Sequence, residues 1–212
     1  MIRRYDAENF RQLCDQLAKR DADLKRIIQQ HGYPKMWTRP NSFQTLILTI
    51  LEQQVSLAAA YAAFRRLKSR IGTVTPEKLA GLTDAELREC YFTRQKIVYA
   101  RGLTEAIQSK QIRLRALHHQ PDELVREQLI VLKGIGHWTI DVYLMHALRR
   151  TDLFPLGDIA LVNSLKHNKG LPDNVAKEKM LEIAEAWRPH RTIASMILWH
   201  EYMQRKKVKV RD

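Results

Sequence analysis

Apolar residues recur at helical spacing along almost the whole chain, and the residues that interrupt helices are scarce. Glycine occurs 8 times and proline 7 times in 212 residues. With no convincing alternating stretch, this restricts the chain to an all-α fold of moderate-length helices. Helices are expected near 6–19, 21–31, 42–54, 56–71, 84–90, 94–109, 121–131, 137–149, 158–168, 174–187 and 190–204. The main breaks fall at Pro34, Pro40-Asn41-Ser42, Gly72, Thr75-Pro76, Pro121, Gly134, Gly136, Pro155, Gly157, Gly170, Pro172 and Pro189. Thr83-x-x-Glu86 fits a capping box. Linkers are short and no repeat or low-complexity tract is present, so the chain reads as one large domain or two small lobes sharing a core of 45% hydrophobic residues.

Charge narrows the partner. Lys and Arg number 36 against 23 Asp and Glu, a net charge of +13. Such an excess favours a polyanion through counterion release, although a basic protein with no nucleic-acid role has the same composition. No helix is a clear basic amphipath, which disfavours a membrane surface. The start has charges but no apolar core of a signal peptide, and the apolar run from Leu46 to Leu51 is too short to span a bilayer. A cytoplasmic, monomeric protein is expected. Cys14 and Cys90 build neither a disulfide framework nor a cysteine-rich metal site. His118, His119, His146, His167, His190 and His200 show no metal-ligand spacing, so no catalytic metal and no cofactor are expected.

The segment 129–166 concentrates the chemistry. Leu132-Lys133-Gly134-Ile135-Gly136 is a glycine hairpin between an apolar helix and a helix starting near His137. Glycine permits positive φ and close backbone approach, and the first amides of the following helix point outward at the positive end of its dipole. That arrangement can grip a phosphate without any particular side chain, or be merely a tight turn. Hairpin carbonyls beside Lys133 offer a site for a monovalent cation. One helix later, Pro155-x-x-Asp158 forms a stiff turn. Asp158 can cap the helix from Ile159, aim a carboxylate at a ligand, or do both.

These residues resemble the helix-hairpin-helix DNA glycosylase superfamily. Leu132 to Thr139 matches its hairpin and Phe154-Pro155-Leu156-Gly157-Asp158 its aspartate loop. Ile50-Leu51-Glu52-Gln53-Gln54-Val55-Ser56 is similar to its Gln-rich helix junction. Trp187-Arg188-Pro189-His190-Arg191 with Trp199 is similar to the C-terminal helix of 3-methyladenine DNA glycosylase II. The likeness runs from about Asp21 to Tyr202.

The resemblance implies a two-lobed fold with a cleft. Residues of about 41–145, holding the hairpin 132–138, would form one lobe, and about 1–40 with 146–212 the other. It implies removal of alkylated bases from duplex DNA by water, with Asp158 catalytic. It places Trp138 and Trp199 in a base pocket, to which Trp37 and Tyr143 could contribute, while Trp187 is read as a core residue. Lys133, Gly134, Ile135, Gly136, His137 and Thr139 would lie on the DNA backbone. Gln54 would be the wedge, with Gln53, Ser56 and Arg94 as further DNA contacts; Gln54 as a capping residue is the plainer alternative.

Departures sort the chain within the superfamily. Strand-cutting members place a lysine where this chain has Trp138, so an amine nucleophile is missing there. No cysteine follows Cys90, so the iron–sulfur cluster of some members is not expected, and neither is the N-terminal β-domain of the larger 3-methyladenine enzymes. Val142 stands where those enzymes carry tyrosine, Tyr143 is one step off, and Ile159 replaces an aromatic. A glycosylase for ethenoadenine, hypoxanthine or uracil, and a non-catalytic DNA-binding module, are the alternatives. Lys96 and Arg101 are expected to touch the DNA backbone, and the tail Arg205 to Arg211 to be a solvated end.

Overall fold

The computed structural model describes residues 3–208. Among the described residues the fold is all-α, with β-type pairing only as an isolated antiparallel bridge between Arg4 and Arg150. Thirteen helices form there: α1 (Phe10–Arg20), α2 (Ala22–His31), α3 (Phe43–Glu52), α4 (Leu57–Ile71), α5 (Pro76–Ala80), α6 (Asp84–Glu89), α7 (Arg94–Gln108), α8 (Leu114–Leu117), α9 (Asp122–Ile130), α10 (His137–His146), α11 (Ile159–Lys169), α12 (Lys177–Glu185) and α13 (Arg191–Arg205).

The short α5 and α8 are absent from the sequence reading because four or five residues are too few for a 3.6-residue period to register. Thr75-Pro76, read as a break, instead starts α5. Thr75 accepts the Lys78 N–H, and Pro76 takes the first helical position, where a missing N–H costs little. At Thr83 the capping box forms as the spacing requires, with Glu86 N–H bonded to Thr83 Oγ1 at 3.2 Å and Thr83 N–H to Glu86 Oε2 at 2.7 Å. Helix α10 stops at His146, short of the expected 149. Arg149 turns left-handed at φ 56 and Arg150 N–H bonds Leu144 O at 3.0 Å, a helix end that usually needs glycine and so leaves no sequence signal.

The described residues divide into two compact units: 3–38 with 144–208, and 39–143. In the first, α1 buries Phe10, Leu13, Cys14 and Leu17, one stripe at helical spacing. It packs with α2, α11 and α13 around Trp187, which is fully buried. Asp21 organises this core. It caps α2 by accepting from the Asp23 and Leu24 amides, takes Trp187 Nε1–H at 2.7 Å and pairs with Lys169 at 2.7 Å. Burial pushes its carboxyl up, but Lys169, Trp187 and the Leu24 amide outweigh that and hold it below its usual 3.8.

A depressed carboxyl stabilises the fold above its unfolded value, and the contribution drains away as pH falls through the folded one. Asp21→Ala is therefore expected to cost about 2–4 kcal/mol near neutrality, since it strands the buried Trp187 indole N–H and leaves the Lys169 ammonium with Asp23 as its remaining carboxylate. Urea unfolding at pH 7 and pH 3 checks this: the gap between native and variant should shrink at the lower pH.

The second unit is built on α3, where every residue except Gln44 is buried. A helix apolar on all sides belongs at the centre of its layer. Its last residue, Glu52, is a buried carboxylate met by Arg39 in two bonds, at 2.5 and 2.8 Å, with Thr49 Oγ1 3.3 Å from the same guanidinium. This ion pair fixes the end of α3, where the turn to α4 begins.

Candidate DNA-binding hairpin and carboxylate site

In the second unit the hairpin follows from local chemistry. Gly134 has φ +85, and a Cβ there would fall 2.0 Å from Cγ of Tyr99 on α7. Only glycine satisfies both the backbone angle and the ring pressed against it. Ile135 N–H bonds Leu132 O at 3.0 Å, closing the turn, and the Ile135 side chain is buried. Gly136 is different. Its carbonyl accepts from Ile140 N–H, placing it at the start of α10, and a Cβ there would meet nothing within 4 Å. The protein itself has no need of glycine at 136; what its absence of a side chain spares is space outside. Lys133, Gly136 and His137 are exposed on this edge.

The turn from α3 to α4 lies against the hairpin. Gln53 Nε2 donates to Gly134 O at 2.8 Å and to Thr139 Oγ1 at 2.9 Å. Expected at the DNA, Gln53 has its amide engaged inside the protein, and Thr139, 1% exposed, faces the same interior. The reason is tertiary: the partners are 81 and 86 residues away in sequence. The Gly134 carbonyl, a candidate cation ligand, thus has one lone pair already engaged. Gln54 is exposed and held at φ 56, with exposed Val55 and Leu57 beside it. Ser56 caps α4 by accepting from Ala59 N–H at 3.2 Å.

Several expectations are corrected here. Lys96 is buried and its ammonium donates to Leu51 O at 2.7 Å, so it ties α7 to α3. Arg101 is spent on the carbonyls of Leu79, Ala80 and Leu82 and on Asp84. Tyr143 has no exposed surface to offer a base, and its hydroxyl donates to Asn41 Oδ1 at 2.6 Å. A tyrosine on a helix face gives no hint in sequence of which way it packs. Arg94 is exposed as the first residue of α7, and Trp138 is half-buried in the first turn of α10. Arg205, counted in the solvated tail, pairs with buried Glu201 at 2.6 Å; Lys209 to Arg211 lie outside the described residues.

The first unit holds the carboxylate. Asp158 N–H bonds Pro155 O at 2.8 Å, which makes the Pro-x-x-Asp turn. Asp158 Oδ1 accepts from Leu161 N–H at 2.9 Å as the cap of α11, and from Trp199 Nε1–H at 3.0 Å. Cap and indole together hold the same carboxylate oxygen, Oδ1, from two donors. Behind them, His146 stacks on Trp199 with centroids 5.7 Å apart and planes 24° off parallel. Its Nδ1 lies 2.9 Å from Trp37 O, and because a carbonyl only accepts, Nδ1 carries the proton. Tyr5 also donates to Trp37 O, at 3.0 Å. Trp37 and Trp199 are each half-buried, while Trp187 packs in the core as its sequence context suggests. Ile159, next to the carboxylate, is 77% exposed.

The sequence reading missed Tyr99, His146 and Asn41. Each acts through a partner distant in the chain, so no motif spacing marks it. Among the described residues no group of three or more His, Cys, Asp or Glu is placed to hold a metal ion, and no helix is long and apolar enough to cross a membrane.

A glycine hairpin opening a helix and a capped aspartate on a Pro-x-x-Asp turn are thus both formed in this all-helical chain. The chain belongs to the HhH-GPD superfamily of base excision DNA repair proteins, whose family model matches residues 47–189. The Bacillus subtilis protein YfjP is 32% identical over 184 residues, covering 83% of this chain; the chain spans 64% of that relative's length. DNA-3-methyladenine glycosylase 1 of Schizosaccharomyces pombe is 30% identical, covering 84% of this chain and 82% of its own. The structure of a 3-methyladenine DNA glycosylase from the same yeast, in complex with abasic DNA, superposes with a TM-score of 0.81 at 27% identity, over 95% of this chain and 100% of that one.

Proposed function

We propose that the protein is a monofunctional DNA glycosylase. It hydrolyses the N-glycosidic bond of alkylated bases, of the 3-methyladenine and 7-methylguanine type, flipped out of duplex DNA, and leaves an abasic site for base excision repair. The observation that carries this reading is the Asp158 carboxylate, held on a stiff turn by both the Leu161 amide and the Trp199 indole. A cap needs only the first of these bonds. The second orients the charge.

Flipping a base from the stack costs a few kcal/mol, a cost that falls where the base is damaged. The hairpin edge at Lys133, Gly136 and His137 grips the strand, and Gln54 fills the gap left behind. An alkylated purine carries positive charge and leaves readily: the C1′–N bond breaks with its electron pair departing on the base. Positive charge then develops on the sugar, where a preorganised carboxylate stabilises it. A water oxygen bonds C1′ and sheds its proton to Asp158 or solvent. Trp199 and Trp37 supply electron-rich faces that suit a cationic ring. Trp138 has no amine, so no Schiff base forms and the strand stays intact.

The test is base release from methylated duplex DNA, with strand breaks scored before and after hot alkali. Free 3-methyladenine or 7-methylguanine should appear, with breaks only after alkali. Release of neither base sinks the proposal; breaks that keep pace with base release, without alkali, sink its monofunctional part.

A further inference from the structure

We infer that Gln53 is a positioning residue that locks the wedge turn to the phosphate-gripping hairpin, so that Gln54 enters the duplex at a fixed distance from the held strand. The inference rests on the glycosylase reading above and assigns a role that reading does not need.

The geometry leaves one arrangement of the Gln53 amide. The Gly134 carbonyl only accepts, so the atom 2.8 Å from it must be nitrogen. The same nitrogen reaches Thr139 Oγ1 at 2.9 Å, in a place where Thr139 is buried. Both amide hydrogens therefore end on the hairpin and on the first turn of α10. Gly134 is thus engaged twice, by the Gln53 amide at its carbonyl and by the Tyr99 ring where a side chain would stand.

Gln54 follows one peptide later, about 3.8 Å away between Cα atoms. Its left-handed backbone is unfavourable for a side chain, and such a conformation persists only where its neighbours fix it. Gln53 is fixed by its amide. On the other side, Ser56 is fixed as the cap of α4. The strained residue is thus bracketed by two anchors, and one of them is the hairpin itself. Were Gln53 a DNA contact, its donors would face out; they face in.

A double-mutant cycle tests this. Gln53→Met keeps length and loses the donors; Gln53→Glu keeps shape and sets a carboxylate against the Gly134 carbonyl. Each is made in the native chain and in Gln54→Ala. Three quantities are read: single-turnover base release from methylated duplex, fluorescence of 2-aminopurine placed beside an abasic-site analogue, and the melting temperature. In the native background Gln53→Met should slow release and lower the fluorescence gain by about tenfold, and Gln53→Glu by more, while undamaged-duplex binding keeps its salt slope. In the Gln54→Ala background the same changes should matter less than about twofold, because the element that Gln53 aims is gone.

Equal fold losses in both backgrounds overturn the inference. So does loss of undamaged-duplex binding together with a large drop in melting temperature, which would make Gln53 a fold residue only. If the native chain releases no methylated base, the glycosylase reading fails, and the fluorescence arm on the abasic-analogue duplex still decides whether Gln53 and Gln54 are coupled.

Discussion

Asp158→Asn is expected to bind methylated duplex about as well as the native protein and to release its bases some 10²–10⁴-fold more slowly. The variant isolates charge from shape. Asparagine keeps an Oδ1 that can accept from both Leu161 N–H and Trp199 Nε1–H, and it caps a helix as well as aspartate does. The melting temperature should therefore move little. What disappears is the negative charge that, in the proposed function, stabilises the developing sugar cation. Trp199→Phe supplies the complementary case: it keeps an aromatic face and removes the donor, so the charge remains with its orientation loosened. A loss of about 1–2 kcal/mol of transition-state stabilisation is expected there, read as kcat/KM. If Asp158→Asn releases bases at the native rate, Asp158 is a helix cap and nothing more.

Gly134→Ala should damage the fold, whereas Gly136→Ala should damage only DNA binding. At 134 the added methyl meets the Tyr99 ring at 2.0–2.3 Å and must adopt φ +85. The ring cannot yield without shifting α7, so a loss of about 2–4 kcal/mol is expected, seen as a lower denaturation midpoint. Gly134→Ala combined with Tyr99→Ala removes the clash but not the backbone strain, and should recover part of that loss. At 136 the methyl meets no protein atom within 4 Å, so the midpoint should hold or rise slightly. If a phosphate approaches the first amides of α10, the methyl stands in its path and duplex affinity should fall by about tenfold. Unchanged affinity for Gly136→Ala would mean that this edge does not touch the strand.

Much of this site was legible because its signals are local. A hairpin of two glycines and a Pro-x-x-Asp turn state their backbone conformations within a few residues, and a capping aspartate lies beside the amides it caps. Helical periodicity likewise exposed most of the helices, since each extends over several turns. Gln53 shows the limit. Its place beside Gln54 suggested a DNA contact, but its amide turns toward a carbonyl 81 residues away. Lys96 and Arg101 read as basic surface and instead bond backbone carbonyls within the protein. Charge in a sequence does not say whether a side chain faces solvent or a helix end.

The sequence by itself determined the all-α class, the hairpin, the aspartate turn and the superfamily, because each depends on residue types at fixed short spacing. Only the tertiary structure decided what holds these parts in place: Tyr99 under Gly134, Gln53 across to the hairpin, and His146 behind Trp199. Those contacts join residues that the chain separates by tens of positions. Hydrogen-bond direction and ring packing depend on the final geometry, which no local pattern encodes.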